Sequence, residues 1–531
     1  MKKTFTILVS LLLINAWSQE TEINLLKDIN PNGESSISQL KVFNDKLYFS
    51  ADDGVHNEEL WFTDGTESGT LLIKDLNPDG NSSISNLTEI NGKLIFSAND
   101  DSHGIELWIT DGAEAGTYIL KDILVGGNSS VPLNFFKFGE KVLFTANDGT
   151  NGEEVWISDG TAEGTTMLKN IHPSDSSYPY GFTEFNGKVY FQAADGIHGS
   201  ELWVTDGTET GTYMVKDIDT SFDSYPRNFM VLNDKMFFRA DDQYGDELWM
   251  TDGTETGTVK IKDINPNEGS GPNELTVLNG KIYFRANDGE HGRELWVTDG
   301  TEEGTMMVKD INPGMEDSFP GALIAFNGKI YFQATDGTHS EELWVTDGTE
   351  AGTFMLKDIN PNGYSAPNFF GTYQNKLFFV AIDGTNGSEL WMTNGTEEGT
   401  VKIVPEGNTA QSPLYFLPFF TVFNDELYFK AEFDNHGVEL WKLKFSEMGT
   451  VELGQVNKLE IYPNPVNNEL HLNLPAGSII KETQIYDLSG KLILKKMNSK
   501  ISVNVSALPS GNYIVKVMTD KQTFSTKFIK K

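Results

Sequence analysis

Six of the eight histidines occupy the same place in a repeated text, three positions before the glutamate of a Glu-Leu-Trp tripeptide. They are His56, His103, His198, His291, His339 and His436. With acidic neighbours such as Asp288 and Glu294, an imidazole there could be a metal ligand. The equivalent positions of the other repeats hold Asn151, Tyr244 and Asn386. Because a tyrosine cannot replace a required imidazole ligand, the pattern favours a polar loop residue, with a metal site as the alternative.

Asp-Gly pairs followed by a downstream glutamate suggest a second kind of chemistry, the binding of Ca²⁺. Their aspartates are Asp53, Asp148, Asp195, Asp288, Asp336 and Asp383. Calcium takes several carboxylate and carbonyl oxygens as ligands. Turn formation alone explains these residues, and no unit has the dense Asp-x-Asp-x-Asp spacing of a calcium loop. We therefore expect no cofactor, and Ca²⁺ stays open as the alternative.

Catalysis is disfavoured by the symmetry of the sequence. An active site needs a unique set of residues, whereas the Glu-Leu-Trp text, once as Glu-Val-Trp, recurs in every repeat. The chain has no Ser-His-Asp set, phosphate loop or HExxH motif at a recognisable spacing. Two carboxylates could still form a glycosidase or lyase site. The sequence thus favours a protein without catalytic activity, and a secreted polysaccharide-acting enzyme is the alternative.

The tryptophans give the period of the elements that carry these residues. They stand 46 to 50 residues apart, at Trp61, Trp108, Trp156, Trp203, Trp249, Trp296, Trp344, Trp391 and Trp441. Each unit has four short β-runs in up-and-down order, separated by Asn-Gly and Asp-Gly turns. This predicts an all-β fold, a β-propeller of about nine four-stranded blades, with eight as the alternative. A parallel solenoid is disfavoured because hairpin turns make neighbouring strands antiparallel.

The phase of the repeats predicts how the ring closes. The array opens with an isolated fourth strand, Asn24 to Ile29, and it ends after a third strand, Glu439 to Trp441. We expect the N-terminal strand to complete the last blade. A degenerate strand at Met448 to Val451 is the alternative. The repeated tryptophan is expected to pack between blades.

The charge and the N-terminal sequence limit the classes of partner and the location of the protein. Lys and Arg number 40 against 77 Asp and Glu, so the net charge is −37 and nucleic acid is not an expected partner. Residues 1–18 have the pattern of a signal peptide, two lysines before an apolar run and small residues at the cleavage site. The run is too short to span a bilayer, and we expect no transmembrane segment elsewhere.

The connection from the fourth strand of one unit to the first strand of the next is the most irregular part of every repeat. The binding residues predicted there are Tyr178, Tyr180, Tyr225, Arg227, Phe319 and Tyr364, and further aromatics are Phe222, Tyr415 and Phe416. Irregular loops on a regular scaffold commonly carry binding residues, and aromatic rings stack on sugars. We expect an adhesion or binding scaffold for an extracellular glycan or protein. The alternatives are rings that plug the central channel and an enzyme site at the channel mouth.

The text ELWVTDGTEEGT at residues 294–305 resembles the ELWxxDGT repeat family of exported bacterial proteins. The resemblance covers nearly all of residues 23–445. It departs in the last unit, where Lys442, Leu443 and Lys444 follow Trp441. The family carries no established chemistry, so the resemblance implies an architecture and not an activity.

Residues 459–531 differ from the array, with ten lysines against five acidic residues and turn-separated alternating runs that predict a small β-sandwich. Their text, from Ile461 to Pro465 through Lys527 to Lys531, is similar to the type A C-terminal sorting domain of the type IX secretion system. The resemblance implies that the secretion machinery is a partner and that the protein is extracellular or attached to the outer surface. The expected domains are a signal peptide (1–18), the propeller (19–445), a linker (446–458) and the sorting domain (459–531).

Overall fold

The computed structural model describes residues 21–405, 412–414, 418–445, 460–474, 479–487, 492–497, 501–519 and 523–531. The chain divides into two compact units, residues 21–445 and a second unit that contains residues 460–531. The expected signal peptide and linker lie outside the described residues. So do Tyr415, Phe416 and the alternative strand at Met448 to Val451.

The first unit is a nine-bladed β-propeller, because its described residues form nine four-stranded antiparallel sheets. Blade 1 contains β2 (Ser38–Phe43), β3 (Lys46–Asp52), β4 (Glu58–Thr63) and β5 (Leu71–Lys74), and blade 2 contains β6 (Ser85–Ile90), β7 (Lys93–Asn99), β8 (Ile105–Thr110) and β9 (Tyr118–Lys121). Blade 3 contains β10 (Leu133–Phe138), β11 (Lys141–Asn147), β12 (Glu153–Ser158) and β13 (Thr166–Lys169), and blade 4 contains β14 (Tyr180–Phe185), β15 (Lys188–Ala194), β16 (Ser200–Thr205) and β17 (Tyr213–Lys216). Blade 5 contains β18 (Arg227–Leu232), β19 (Lys235–Asp242), β20 (Gly245–Thr251) and β21 (Val259–Lys260), and blade 6 contains β22 (Asn273–Leu278), β23 (Lys281–Asn287), β24 (Arg293–Thr298) and β25 (Met306–Lys309). Blade 7 contains β26 (Gly321–Phe326), β27 (Lys329–Ala334), β28 (Glu342–Thr346) and β29 (Phe354–Lys357), and blade 8 contains β30 (Asn368–Tyr373), β31 (Lys376–Ile382), β32 (Ser388–Thr393) and β33 (Val401–Ile403). Blade 9 contains β34 (Thr421–Phe423), β35 (Glu426–Ala431) and β36 (Glu439–Phe445), with β1 (Thr21–Lys27) as its fourth strand.

The blades are held together by apolar side chains on both faces of their middle strands. Tyr48 of blade 1, for example, lies in one buried cluster with Phe96 and Trp108 of blade 2. The nine tryptophans are all buried, which confirms that they pack between blades. Lysines add a second link, since the Lys74 ammonium of blade 1 donates to the Thr117 carbonyl of blade 2 at 2.9 Å. The first strands of neighbouring blades contact each other and so lie innermost in the ring.

The tight turns have the predicted geometry. Asn91 and Gly92 join β6 to β7 with φ angles of 48° and 75°, and both are positive as a type I′ turn requires. Within the described residues the helical content is a single 3₁₀ turn, Glu114–Gly116. The sequence expectation of a nearly helix-free fold is confirmed there.

The ring closes as the repeat phase predicts. β1 pairs antiparallel with β36, from Thr21 opposite Phe445 to Lys27 opposite Leu440. Leu26 of this strand is buried, and the Lys27 ammonium donates to the Thr70 carbonyl of blade 1 at 2.8 Å. The two ends of the array are therefore joined in one sheet, and a hydrogen bond links blade 9 to blade 1.

The second unit is a small β-sandwich. Its strands are β37 (Glu460–Tyr462), β38 (Glu469–Asn473), β39 (Ile480–Asp487), β40 (Leu492–Met497), β41 (Ser502–Asn504), β42 (Gly511–Thr519) and β43 (Thr523–Lys530). They form one sheet of three strands and one of four, and a single cluster with Leu470, Val503 and Val515 fills the space between them. No helix in the described part of the whole chain is long and apolar enough to cross a membrane.

Candidate binding face

Two kinds of loop meet on one side of the propeller, which we call the variable face. One kind joins the second and third strands of a blade, and the other connects the fourth strand to the next blade. The Ser82 amide of the connection into blade 2 donates to the Glu58 carbonyl at the start of β4, at 2.9 Å. In blade 7, His339 of the first kind of loop and Asp358 of the second line one cavity. Any ligand on this face would meet both kinds of loop.

The connection is held by the glutamate of the Glu-Leu-Trp text. In blade 1 the buried Glu59 carboxylate accepts the Leu76 and Asn77 amides at 2.9 and 3.2 Å and the Ser82 hydroxyl at 2.5 Å. Eight blades have this clamp, and the serines that it holds are Ser35, Ser82, Ser130, Ser177, Ser224, Ser270, Ser318 and Ser365. Burial raises the pKa of Glu59 to about 7, although these hydrogen bonds act in the opposite direction.

Two blades show what the clamp does. In blade 9, Glu439 accepts the Ile29 and Asn30 amides at 3.2 and 3.3 Å and the Ser35 hydroxyl, so it fastens the chain segment that closes the ring. In blade 8, Glu389 instead accepts the Lys402 ammonium at 2.9 Å. A glutamate that supports its own connection in eight blades is structural, as the recurrence of the motif indicates.

The residue that follows the clamped serine has a left-handed backbone in eight connections. Three of the predicted binding residues occupy this position, Tyr178, Tyr225 and Phe319, with φ of 48°, 44° and 48°. Such a conformation is unusual for a bulky residue, and here it directly follows the serine that the clamp holds. All three rings are exposed, by 59%, 45% and 43% respectively. They therefore face solvent at the same place in three different blades.

The other predicted binding residues lie beside this position. Tyr180 and Arg227 are the first residues of β14 and β18, and Tyr364 directly precedes the clamped Ser365. Tyr180 and Tyr364 are exposed. Arg227 contacts its neighbour through a hydrogen bond from Nη1 to the Tyr225 carbonyl at 3.2 Å. The structure thus places the six residues in the connections into blades 4, 5, 7 and 8, spread along the variable face.

The repeated histidines serve the loop between the second and third strands. His56 Nδ1 lies 2.8 Å from Asp53 Oδ2, and Asp53 Oδ1 accepts the Val55 and His56 amides. The hydrogen bond to Asp53 raises the pKa of His56 above its ordinary value. Burial alone would raise the pKa of Asp53, but the hydrogen bonds from His56 and Val55 outweigh it and lower that pKa.

Blades without the histidine supply another partner to the same aspartate. In blade 3 the Asn151 amide donates to Asp148 at 2.7 Å. In blades 5 and 8 a lysine of the fourth strand replaces the imidazole, and the pairs are Lys260 with Asp242 at 3.0 Å and Lys402 with Asp383 at 2.7 Å. The position therefore needs a partner for the carboxylate and not an imidazole, which supports the loop interpretation. Donors of their own loops engage both oxygens of aspartates such as Asp53.

The opposite face is uniform because its turns are self-contained. In blade 1, Asp64 accepts the Thr66 amide and hydroxyl at 2.9 and 2.7 Å, while the Thr63 and Thr70 hydroxyls share a hydrogen bond of 2.8 Å. A Cβ at Gly69 would collide with the Asp64 carboxylate. These bonds explain the recurring Thr-Asp-Gly-Thr and Gly-Thr text without any ligand, and they leave the variable face as the candidate site.

Comparisons with known proteins show low similarity for the array. No curated protein matches the chain. Among solved structures it is similar to a puromycin hydrolase at 13% identity and a TM-score of 0.34, over 67% of this chain and 60% of that one. It is also similar to PorZ, described as a surface component of the type-IX secretion system of Porphyromonas gingivalis, at 12% identity and a TM-score of 0.26, over 94% and 82%. Likenesses at these scores carry no information about activity, and the chain spans only 60% of the hydrolase.

The second unit has a clear family match. Residues 460–531 match the family model of the Secretion system C-terminal sorting domain. The chain therefore carries a secretion-system sorting domain, and this domain supports export of the protein to the cell surface or the extracellular space.

Proposed function

We propose that this chain is an exported, non-catalytic binding protein of the cell surface or the medium. Its propeller would hold an extracellular polymer, a glycan or a protein, on the variable face. The observation that carries the proposal is the contrast within each blade. The clamp recurs in eight blades and the Thr-Asp-Gly-Thr turn recurs with few substitutions, whereas the left-handed residue is Val131, Tyr178, Tyr225, Gly271 or Phe319 in successive blades. The resemblance of residues 23–445 to ELWxxDGT repeat proteins and the signal-peptide pattern at 1–18 are part of this proposal.

The buried carboxylates give no support to the enzyme alternative. Glutamates with a raised pKa are common general acids. Here, however, Glu201 and its counterparts are fully buried, and their oxygens accept the amides and hydroxyl of their own connection. A general acid must reach the substrate, so this use of the carboxylates favours binding over catalysis.

A test compares the two faces of the propeller. Replacing Tyr178, Tyr225, Arg227 and Phe319 by Ala is expected to abolish retention of the polymer while the melting temperature stays within a few degrees, because the rings are exposed. The control is Asn279→Ala with Gly280→Ala in the turn of blade 6. There both φ angles are positive, and a Cβ at Gly280 meets open space. It should lose about 1–2 kcal/mol of stability and keep its binding.

The measurement is a thermal melt paired with binding on a glycan and matrix-protein array, followed by a reducing-end assay on each retained glycan. Loss of the fold in the loop variant would show that the rings plug the channel and would remove the site. New reducing ends or unsaturated products would replace the binding proposal by the enzyme alternative.

A second test concerns the route of export. Deleting residues 460–531 is expected to leave a folded propeller trapped in the periplasm, because the sorting domain is a separate compact unit. Cell fractionation with a propeller-specific antibody measures this, and the full chain is the control. Appearance of the truncated protein in the medium would refute the assignment of the sorting route.

A further inference from the structure

All four arginines of this strongly acidic chain lie in two adjacent blades. Arg227 and Arg239 belong to blade 5, and Arg285 and Arg293 belong to blade 6. Arg227 and Arg293 are the first residues of β18 and β24, strands that begin at the variable face. The remaining basic residues of the chain are lysines. Arginine is therefore concentrated at one part of the variable face.

Arg239 and Arg285 occupy the same position in their second strands, opposite the first residue of the inner strand. The other blades hold Ser50, Ser97, Thr145, Gln192, Gln333, Val380 and Lys430 at this position. The position reaches the next connection. Arg285 Nη1 donates to the Pro320 carbonyl at 3.4 Å, as the Ser97 hydroxyl does to the Pro132 carbonyl. The guanidinium groups thus extend towards the loops that carry the exposed rings.

The carboxylates in direct contact do not satisfy this cluster. Asp246 accepts both Arg227, at 3.3 Å, and Arg239, and Asp317 accepts Arg293 at 2.9 Å. Among the described residues, the buried Nε atoms of Arg239 and Arg285 have no hydrogen-bond partner, which is costly for a buried donor. Burial and the charges of Arg227 and Arg285 lower the pKa of Arg239 to about 10. The cluster therefore keeps N–H donors that its neighbouring carboxylates do not use, while the charges of Asp241 and Glu274 also act on Arg239 and Arg285 and offset part of its positive charge.

Aromatic rings lie beside the same arginines. The Arg293 guanidinium lies over the Phe319 ring, 5.6 Å from its centroid, and Arg227 is bonded to the backbone of Tyr225. An exposed ring offers a stacking surface for a sugar, and a guanidinium pairs with a carboxylate or sulfate oxygen in a forked geometry. The two features together suit a sugar that carries an acid group.

We propose that the four arginines, with Tyr225 and Phe319, form a subsite for an anionic polysaccharide whose carboxylate or sulfate groups bind the guanidinium groups. The inference rests on the proposed binding function and names the ligand class. The net charge of −37 would repel a polyanion at long range. At physiological ionic strength the Debye length is about 8 Å, so charges near the cluster dominate the interaction.

The test uses the full chain and the double variant Arg239→Gln with Arg285→Gln. Glutamine is the natural residue at this position in blades 4 and 7, as Gln192 and Gln333, so the variant should fold. The probes in 150 mM salt, a roughly physiological ionic strength, are polygalacturonate for carboxylate, dextran sulfate for sulfate and dextran as the neutral polymer. We expect the wild type to bind at least one polyanion and the variant to bind it at least tenfold more weakly, with an unchanged melting temperature.

Lys430→Gln is the control, because it removes one positive charge at the equivalent position of blade 9 and should keep the affinity. If the double variant has a lower melting temperature than the wild type, the half-exposed Arg293 is replaced instead. Arg293→Gln should then bind the polyanion at least tenfold more weakly than the wild type. Undiminished polyanion binding would overturn the inference. If the wild type binds only dextran, the inference of an anionic ligand is overturned and the proposed binding function stands. If the wild type retains no polymer in this assay or on the array, both the inference and the proposed function are refuted.

Discussion

Deleting residues 21–30 is expected to unfold or aggregate the propeller, although they are a small part of it. The deletion removes β1 from blade 9 and exposes β36 as an unpaired edge. It also removes the buried side chains of Leu26 and Ile29 and two of the amides that satisfy the Glu439 carboxylate. Losing two such apolar side chains costs about 3–6 kcal/mol before the stranded carboxylate is counted, a large part of the stability of a typical domain.

The control for this deletion restores the strand at the other end of the chain. Thr21 lies opposite Phe445, so a short turn can join these residues and make β36 and β1 a local hairpin. A permuted propeller that begins at residue 31 and ends with residues 21–30 should melt close to the wild-type propeller. Differential scanning fluorimetry and gel filtration on the three proteins measure both effects. A deletion variant that stays monomeric with the wild-type melting temperature would show that β1 does not close the ring.

The stability of the propeller is expected to fall as the pH rises from about 5 to 8. Burial raises the pKa of four clamp glutamates to about 7, namely Glu59, Glu201, Glu294 and Glu439. The folded state then binds more protons than the unfolded chain between pH 4.5 and 7, and the free energy of unfolding decreases across this window. We expect about 1–3 kcal/mol for each glutamate.

The loop histidines change the stability in the same direction. Their aspartate partners raise the pKa of residues such as His291, so the stability that these pairs add is complete below the unfolded pKa and is lost as the pH rises through the folded one. The lowered pKa of Asp288 acts in more acidic solution, where stability falls as that carboxylate is protonated. Chemical denaturation at constant ionic strength should therefore show a maximum near pH 5.

A single substitution separates the clamp from the overall charge. Glu201→Gln removes one buried carboxyl group and should flatten the decrease between pH 5 and 7. Glu303→Gln removes the same charge at an exposed turn of blade 6 and should leave the slope unchanged. Equal slopes for wild type and Glu201→Gln would mean that the clamp glutamates are already ionised at pH 5.

The sequence predicted the architecture because its signals are local. Asn-Gly turns and the tryptophan period gave the blades, and the repeat phase gave the pairing of β1 with β36. The clamp was missed, because it joins Glu59 to Ser82 across a strand and a loop, and strand periodicity carries no such contact. A serine recurring 23 or 24 residues after each of the first eight of the repeated glutamates was the available signal.

The conformation of the candidate site was also beyond sequence reasoning. Tyr178, Tyr225 and Phe319 were selected because they break the repeat, yet nothing local predicts a left-handed backbone at a bulky residue. Each of them directly follows the serine that the clamp holds. The arginine cluster was missed because Arg239 and Arg285 lie within strands of ordinary appearance, and only the strand register brings them to the variable face.

The shared backbone of the connections makes the propeller a modular scaffold for protein engineering. Since φ of the left-handed residue lies between 42° and 58° in eight connections, side chains such as Phe319 could be exchanged between blades without new backbone design. Each exchange would move a side chain to another angle around the ring axis. The order of the connections around the ring would then set the distances between the side chains that contact a bound polymer. Changing that order would create new binding specificities on an unchanged core.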